Sequence, residues 1–228
     1  TLYFPDRYPM HFSVKASNPA TLATSCLVIG VYEDKSLPDL AALLDAASNK
    51  ALSAVVEAGD IAGKVGDTLL LQKVPGLKAQ RILLVGCGKE KALDAKKFST
   101  LVRNTWKALQ KHNLTDVALT LTDVPVSNAD ARRKAELVAR NFQAQQYRYT
   151  TTKSKSGKAF VLQQVTLLTG NSKDRKPSSI GLQTGSAIGK GMNIARELGN
   201  LPANICTPTY LANQAVALGK KHKKLAVQ

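Results

Sequence analysis

The sequence predicts an α/β protein, and three observations carry that reading. Strand-like and helix-like segments alternate along the chain. Of two strand-like runs, SCLVIGVY (25–32) is apolar as a strand covered on both faces is, and QRILLVG (80–86) is the strongest buried strand in the sequence. Residues 94–111 repeat their apolar side chains at the 3.6 spacing of an amphipathic helix. With 228 residues, 44% of them hydrophobic and 21% charged, the chain is long enough for a real core. No apolar run approaches the ~20 residues that span a bilayer, so no membrane partner is expected.

The elements follow in order. Residues 1–9 (TLYFPDRYP) lack the basic, apolar and small-residue regions of a secretory signal and are expected to be a vector-derived leader. Residues 10–16 and 25–32 read as strands. After Pro38, the Ala- and Leu-rich stretch 39–58 reads as one helix. Gly59, Gly63 and Gly66 punctuate a turn region before a strand at 67–73, and Pro75-Gly76 marks the turn into the strand at 80–86. The helix at 94–111 turns Phe98, Leu101, Val102, Thr105, Trp106 and Leu109 inward. A strand at 116–122 precedes a helix at 129–146 with Ala135, Val138 and Phe142 inward.

Residues 149–158 and 170–179 are polar, basic and turn-rich, so both read as loops around a strand at 160–169. Ser179 is expected to cap a long helix of about 180–198, closed by Gly199 and Pro202. Gly181, Gly185 and Gly189 sit four apart on one face of that helix, a row that lets another backbone approach closely. Thr207-Pro208 starts a last helix that runs to about 221 and ends in the cationic turn His222-Lys223-Lys224. Residues 225–228 (LAVQ) resemble the opening of a strand, and the chain is expected to continue beyond them.

The charge is the unusual number: 32 Lys and Arg against 16 Asp and Glu, a formal +16. It is unevenly placed. Residues 10–100 are net +2, residues 101–150 net +4, and residues 151–228, with 12 basic and 2 acidic side chains, net +10. A block of one sign points to an anionic partner or to a neighbouring acidic domain. Arg103, Lys107 and Lys111 repeat every four residues and form one stripe, and Arg132, Arg133 and Arg140 face water from the next helix. With Lys153, Lys155, Lys158, Lys173, Arg175 and Lys176 from the two basic loops, these are the candidate contacts to duplex DNA. Only Tyr147 and Tyr149 are available for base stacking there, so sequence-specific single-strand binding is not expected.

The residues themselves show no catalytic constellation. Cys26, Cys87 and Cys206 are far apart and odd in number, which reads as buried thiols in a reducing, cytoplasmic setting. His11, His112 and His222 are isolated, and after residue 150 the only carboxylates are Asp174 and Glu197. The turn Gly86-Cys87-Gly88-Lys89 fails both phosphate-loop templates, since Lys91 stands where a third glycine belongs and no G-K-S/T follows a four-residue spacer. No G-x-S-x-G elbow occurs.

The segment RELGNLPANICTPTYLANQA (196–215), with its core from Asn200 to Ala212, resembles the junction sequence of the leucyl aminopeptidase (cytosol aminopeptidase) family, the hexameric two-metal aminopeptidases. RILLVGCGK (81–89) and MHFSVKAS (10–17) are similar to that family's amino-terminal strands, and the likeness is nearest to the bacterial aminopeptidase A branch. The resemblance implies a three-layer mixed sheet with helices on both faces, macro-domain-like, followed by a long connecting helix. It divides the chain into a leader at 1–9, an amino-terminal α/β domain at 10–178, a connecting helix at 179–199 and the start of a catalytic domain at 200–228. It also implies two divalent cations, Mn or Zn, in the full-length protein, a homo-hexamer, and the catalytic domain of the same protein as partner. The family's G-K-G-x-x-F-D-x-G-G and N-T-D-A-E-G-R motifs do not occur here, so no catalytic or metal role passes to any residue, including Lys190 in GKGMNIARELG (189–199). Two functions follow as expectations: the amino-terminal, non-catalytic part of such an aminopeptidase, inactive alone, or a DNA-binding accessory module using the basic surface.

Overall fold

The computed structural model describes residues 9–154, 160 and 162–227. Its centre is a six-stranded sheet in the order β1-β6-β5-β2-β4-β3, formed by β1 (His11–Lys15), β2 (Leu27–Tyr32), β3 (Thr68–Gln72), β4 (Arg81–Gly88), β5 (Asp116–Leu119) and β6 (Gln164–Leu168). Every pairing is parallel except that of β3 with β4. The two most apolar runs became the central neighbours β2 and β4, in register from Leu27 opposite Ile82.

Alternation along these strands explains why both faces are covered. Leu27, Ile29 and Val31 of β2 enter one buried cluster with Leu40 and Leu44 of α1 (Asp39–Ala47) and Leu52 and Val56 of α2 (Ala51–Ala58). Val28 enters a second cluster on the other face, with Phe98 and Trp106 of α3 (Ala95–Leu109) and Phe142 of α4 (Ala131–Gln145). The result is the expected three-layer arrangement. Trp106 is its largest buried side chain, with its ring edge-on to Phe142 at 5.2 Å and to Phe160 at 5.3 Å between centroids.

On that second face α4 runs parallel to α5 (Arg175–Asn200), and the glycine row fixes how close they come. A Cβ at Gly181 would stand 2.1 Å from the carbonyl oxygen of Arg132, and one at Gly185 2.2 Å from that of Glu136. Further along, Asn193 Nδ2 donates to the Gln143 carbonyl at 2.8 Å and Arg196 Nη1 to that of Ala144 at 2.7 Å. These bonds satisfy carbonyls of the last turn of α4, which have no partner inside their own helix.

Several boundaries differ from expectation, each for a local reason. The single helix expected at 39–58 is two, because Asn49 and Lys50 adopt left-handed φ values of 53° and 62° and the Asp45 carboxylate accepts the Ser53 N–H at 2.8 Å, capping α2 from α1. The loop expected at 170–179 is a 3-10 turn at Ser172–Asp174 followed by the first turn of α5. Pro177 is third in that helix, where an N–H finds no intrahelical acceptor, so the proline breaks nothing. Ser179 is therefore inside the helix and caps nothing. The strand expected at 116–122 ends at Leu119 and turns into a 3-10 turn at Leu121–Asp123. The strand expected at 160–169 is confined to Gln164–Leu168. The last helix, α6 (Pro208–Lys221), starts as read, with Thr207 Oγ1 accepting the Tyr210 N–H at 3.2 Å, but residues 225–227 form no strand. The expected leader lies, except for Pro9, outside the described residues, as do Lys155 and Lys158.

Candidate functional site

Open α/β sheets bind ligands outside the carboxyl ends of their strands, where neighbouring strands send their connections to opposite faces. Here that point lies between β2, which leads into α1, and β5, which leads into α4. The chain fills it with its own groups. Asp123 follows β5, and its Oδ2 accepts the Leu40 N–H in the first turn of α1 at 3.0 Å, taking the place an anion would occupy. Burial pushes the Asp123 carboxyl above its ordinary range, against the lowering effect of that bond. Lys134 Nζ donates to the Val124 carbonyl at 3.1 Å, and burial pulls the ammonium below the ordinary lysine range while Asp123 and Asp174 act the other way. Sequence reasoning passed over this pair, whose one signal was a charged residue just beyond an apolar strand.

The starts of α3 and α4 are similarly occupied. Asp94 Oδ1 accepts the Lys97 N–H and Asp130 Oδ1 the Arg133 N–H, both at 2.7 Å, whereas Asp174 stands at the start of α5 without a side-chain capping bond. The glycines of Gly86-Cys87-Gly88-Lys89 admit backbone rather than phosphate. A Cβ at Gly86 would stand 2.0 Å from the Lys64 carbonyl oxygen, and Gly88, at φ 76°, donates its N–H to the Gly63 carbonyl at 2.7 Å. The motif read as a tight turn is instead largely strand: β4 runs through Gly88, and the turn begins only at Lys89.

Other candidate chemical groups are committed to structure. Burial works against the Asp116 carboxylate, yet Ser25 and Thr24 hydrogen bonds hold it below the usual range; Thr24 Oγ1 donates to it at 2.5 Å and the Ser25 N–H at 3.1 Å. Glu197 accepts the Tyr147 hydroxyl at 2.8 Å and that of Thr151. The Cys26 and Cys87 thiols are buried, and burial pushes each up to about 12. Among the described residues no group of three or more His, Cys, Asp or Glu converges to hold a metal ion, so the side chains here do not fit a two-cation centre.

The basic candidates separate into two patches. The parallel helix pair brings Arg132 and Arg133 beside the start of α5, near Lys173, Arg175 and Lys176. Acids interleave them there: Arg133 pairs with Glu136, and Asp130 and Asp174 act on the neighbouring Lys134. Arg140 is half-buried further along α4, and Lys153 is exposed in the loop beyond it. On α3, Lys107 and Lys111 are exposed and Arg103 is half-buried with Nη2 on Thr100 Oγ1 at 2.9 Å. No carboxylate lies within α3 itself. That stripe is the patch whose charge is not offset along its own helix.

The family model for the N-terminal domain of the cytosol aminopeptidase family matches residues 28–156. The chain belongs to the cytosol aminopeptidase family. It is 41% identical over 219 residues to the cytosol aminopeptidase of Pseudomonas aeruginosa, covering 96% of this chain and 44% of that protein. It is 39% identical over 217 residues to the probable cytosol aminopeptidase of Nitrosococcus oceani, covering 95% of this chain and 43% of that protein. It thus spans less than half the length of these relatives. Among solved structures, a tomato leucine aminopeptidase mutant superposes with a TM-score of 0.74 at 22% identity, over 96% of this chain and 44% of that one. A bottromycin maturation enzyme in complex with Mn superposes with a TM-score of 0.65 at 20% identity, over 87% of this chain and 37% of that one. Both share this family member's fold. Among the described residues, no helix is long and apolar enough to cross a membrane.

Proposed function

We propose that this chain is the non-catalytic amino-terminal part of a cytoplasmic two-metal leucyl aminopeptidase, which releases amino-terminal residues from peptides. The observation that carries the reading is the employment of the carboxylates. Asp45, Asp94, Asp116, Asp123, Asp130 and Glu197 each accept protein donors that fix a turn, a helix start or a helix pair, which leaves them unsuited to bind and space two cations. The two cations, Mn or Zn, belong in this reading to the catalytic domain of the same polypeptide. That domain seats on the exposed apolar residues of α5 and α6, among them Ile180, Ile188, Met192, Leu211 and Val216. The full-length protein is a homo-hexamer in the same reading. The test is hydrolysis of an aminoacyl chromogenic substrate with added manganese. The expected outcome is no turnover by the 228-residue chain and turnover once it is joined to a catalytic half; comparable turnover by both would end the reading.

The carboxylate-free stripe on α3 favours a second role, in duplex DNA binding. Arg103, Lys107 and Lys111 neutralising three phosphates would give a log K against log salt slope of about −2.7, steeper if Arg132, Arg140, Lys153, Lys173, Arg175 and Lys176 join. Lys107→Glu with Lys111→Glu is expected to flatten the slope in a fluorescence titration. No duplex binding at low salt rejects this role.

A further inference from the structure

β3 is the outermost strand on its side of the sheet and pairs with β4 over five residues in unbroken register. The Gly86 N–H donates to the Asp67 carbonyl at 2.9 Å, and the Lys73 N–H to the Gln80 carbonyl at 3.2 Å. In an extended strand the N–H and C=O of one residue point to the same side, and that side alternates along the chain. Asp67, Leu69, Leu71 and Lys73 therefore turn theirs to β4, while Thr68, Leu70 and Gln72 turn three donors and three acceptors outward. Among the described residues no hydrogen bond meets these outward groups. The undescribed residues 1–8, 155–159 and 161 precede β1 and β6 in sequence, and those two strands stand at the opposite end of the strand order. Proteins ordinarily blunt such an edge with proline, a bulge or an inward charge. The strand Thr68–Gln72 is TLLLQ, which holds neither proline nor charge.

The segment from Asp67 to Lys73 reads DTLLLQK, with leucines at the centre, a polar residue on each side and opposite charges at the ends. Laid antiparallel on itself about Leu70, it sets Leu70 against Leu70, Leu69 against Leu71 and Thr68 against Gln72. Asp67 then faces Lys73 at both ends. The backbone agrees with this register. Leu70 with Leu70 and Thr68 with Gln72 become the hydrogen-bonded pairs, and Asp67 with Lys73 falls at a non-hydrogen-bonded pair, where side chains come closest. Sliding the register by one residue sets outward backbone groups against inward ones. Sliding it by two sets Asp67 against Leu71 or Pro75, so the charges select one pairing. Asp67 is half-buried and Lys73 exposed, and neither has an ion-pair partner among the described residues. Lys73 leaves the extended conformation at φ 52° and reaches across through its long, flexible side chain.

We propose that two copies of this chain join edge to edge along β3, antiparallel and centred on Leu70, so that their sheets continue into one another. The inference goes beyond the family reading and does not depend on it. The test is sedimentation equilibrium of the 228-residue chain over a concentration series, with amide hydrogen exchange at each concentration. The mass is expected to rise reversibly toward that of two chains. Exchange at Leu70 is expected to slow with concentration, and at Leu69 and Leu71, already bonded to β4, to change less. Asp67→Lys sets lysine against Lys73 at both ends and is expected to weaken the dimer roughly 10-fold, as is Lys73→Glu. Asp67→Lys combined with Lys73→Glu reverses both pairs and is expected to restore the affinity to within about 3-fold, a rescue that misfolding could not produce. Thr68→Pro deletes an outward N–H and no bond to β4, and is expected to lower the affinity at least ~10-fold. A chain that stays monomeric with Leu70 exchange unchanged overturns the proposal. So does a dimer that both single charge variants leave intact, or a double variant no better than the singles. Protection of Leu70 in a monomer once a catalytic half is joined would assign the edge to that half and overturn it as well.

Discussion

The layered part of the molecule, from β1 to the start of α5, and the segment from Leu201 to Val227 use their apolar residues differently. In the first, Trp106, Phe98 and Phe142 are no more than 2% exposed, and each helix turns its apolar face onto the sheet. In the second, α6 has no buried residue, and Leu211 and Val216 are 45% and 44% exposed. α5 belongs to both: its glycine row is pressed against α4, while its Ile180 and Ile188 are each 40% exposed. An amphipathic helix draws most of its stability from what covers its apolar face. The first region therefore carries its own stabilising contacts, whereas the second leaves its apolar residues exposed, on the surface proposed above to meet the catalytic domain.

The comparison breaks if both regions respond alike to loss of an apolar side chain. Trp106→Ala is expected to cost about 3–5 kcal/mol in urea unfolding, and Leu211→Ala less than ~0.5 kcal/mol. A large loss for Leu211→Ala would mean that α6 is packed in solution.

A finer version of the contrast exists within α5. Gly185→Ala drives a methyl group toward the Glu136 carbonyl oxygen, 2.2 Å from the new Cβ, and is expected to destabilise by about 1–3 kcal/mol. Gly191→Ala meets nothing within 4 Å and is expected to stabilise by up to ~1 kcal/mol through helix propensity. Equal effects at the two sites would show that the α4–α5 contact is loose.

The smallest signal is chemical. In native thiol titration Cys206, half-buried between α5 and α6, is expected to react first. Cys26 and Cys87, whose thiols burial pushes up to about 12, are expected to react only on unfolding. Early reaction of Cys87 would indicate local opening of β4.

Much of the architecture was legible because it rests on periodicity. Strands β2 and β4 announced themselves as continuous apolar runs, and α3 by its 3.6-residue repeat. The glycine row likewise foretold a close helix contact, though not its partner, because nothing local specifies that α4 is the neighbour. Where reading failed, a side chain reached beyond its own window. Asp45 caps a helix that begins six residues later, and Pro177 is harmless only because of its place in the first turn. The candidate surface was half legible: α3 displays its basic stripe from sequence alone. The offsetting acids around Arg132 and Arg175 become visible only when α4 and α5 stand side by side.

The pairing of β1 with β6 also sets an order of events. Ser13 Oγ and Thr166 Oγ1 meet at 3.1 Å although they are 153 residues apart. β2, β3, β4 and β5 can assemble from segments nearer in sequence, with smaller loops to close. During synthesis β1 leaves the ribosome first and docks last, waiting for β6 to emerge. For that interval its unpaired backbone is open on both sides, which makes this strand the place where a chaperone, or a misfolded neighbour, has the longest opportunity to intervene.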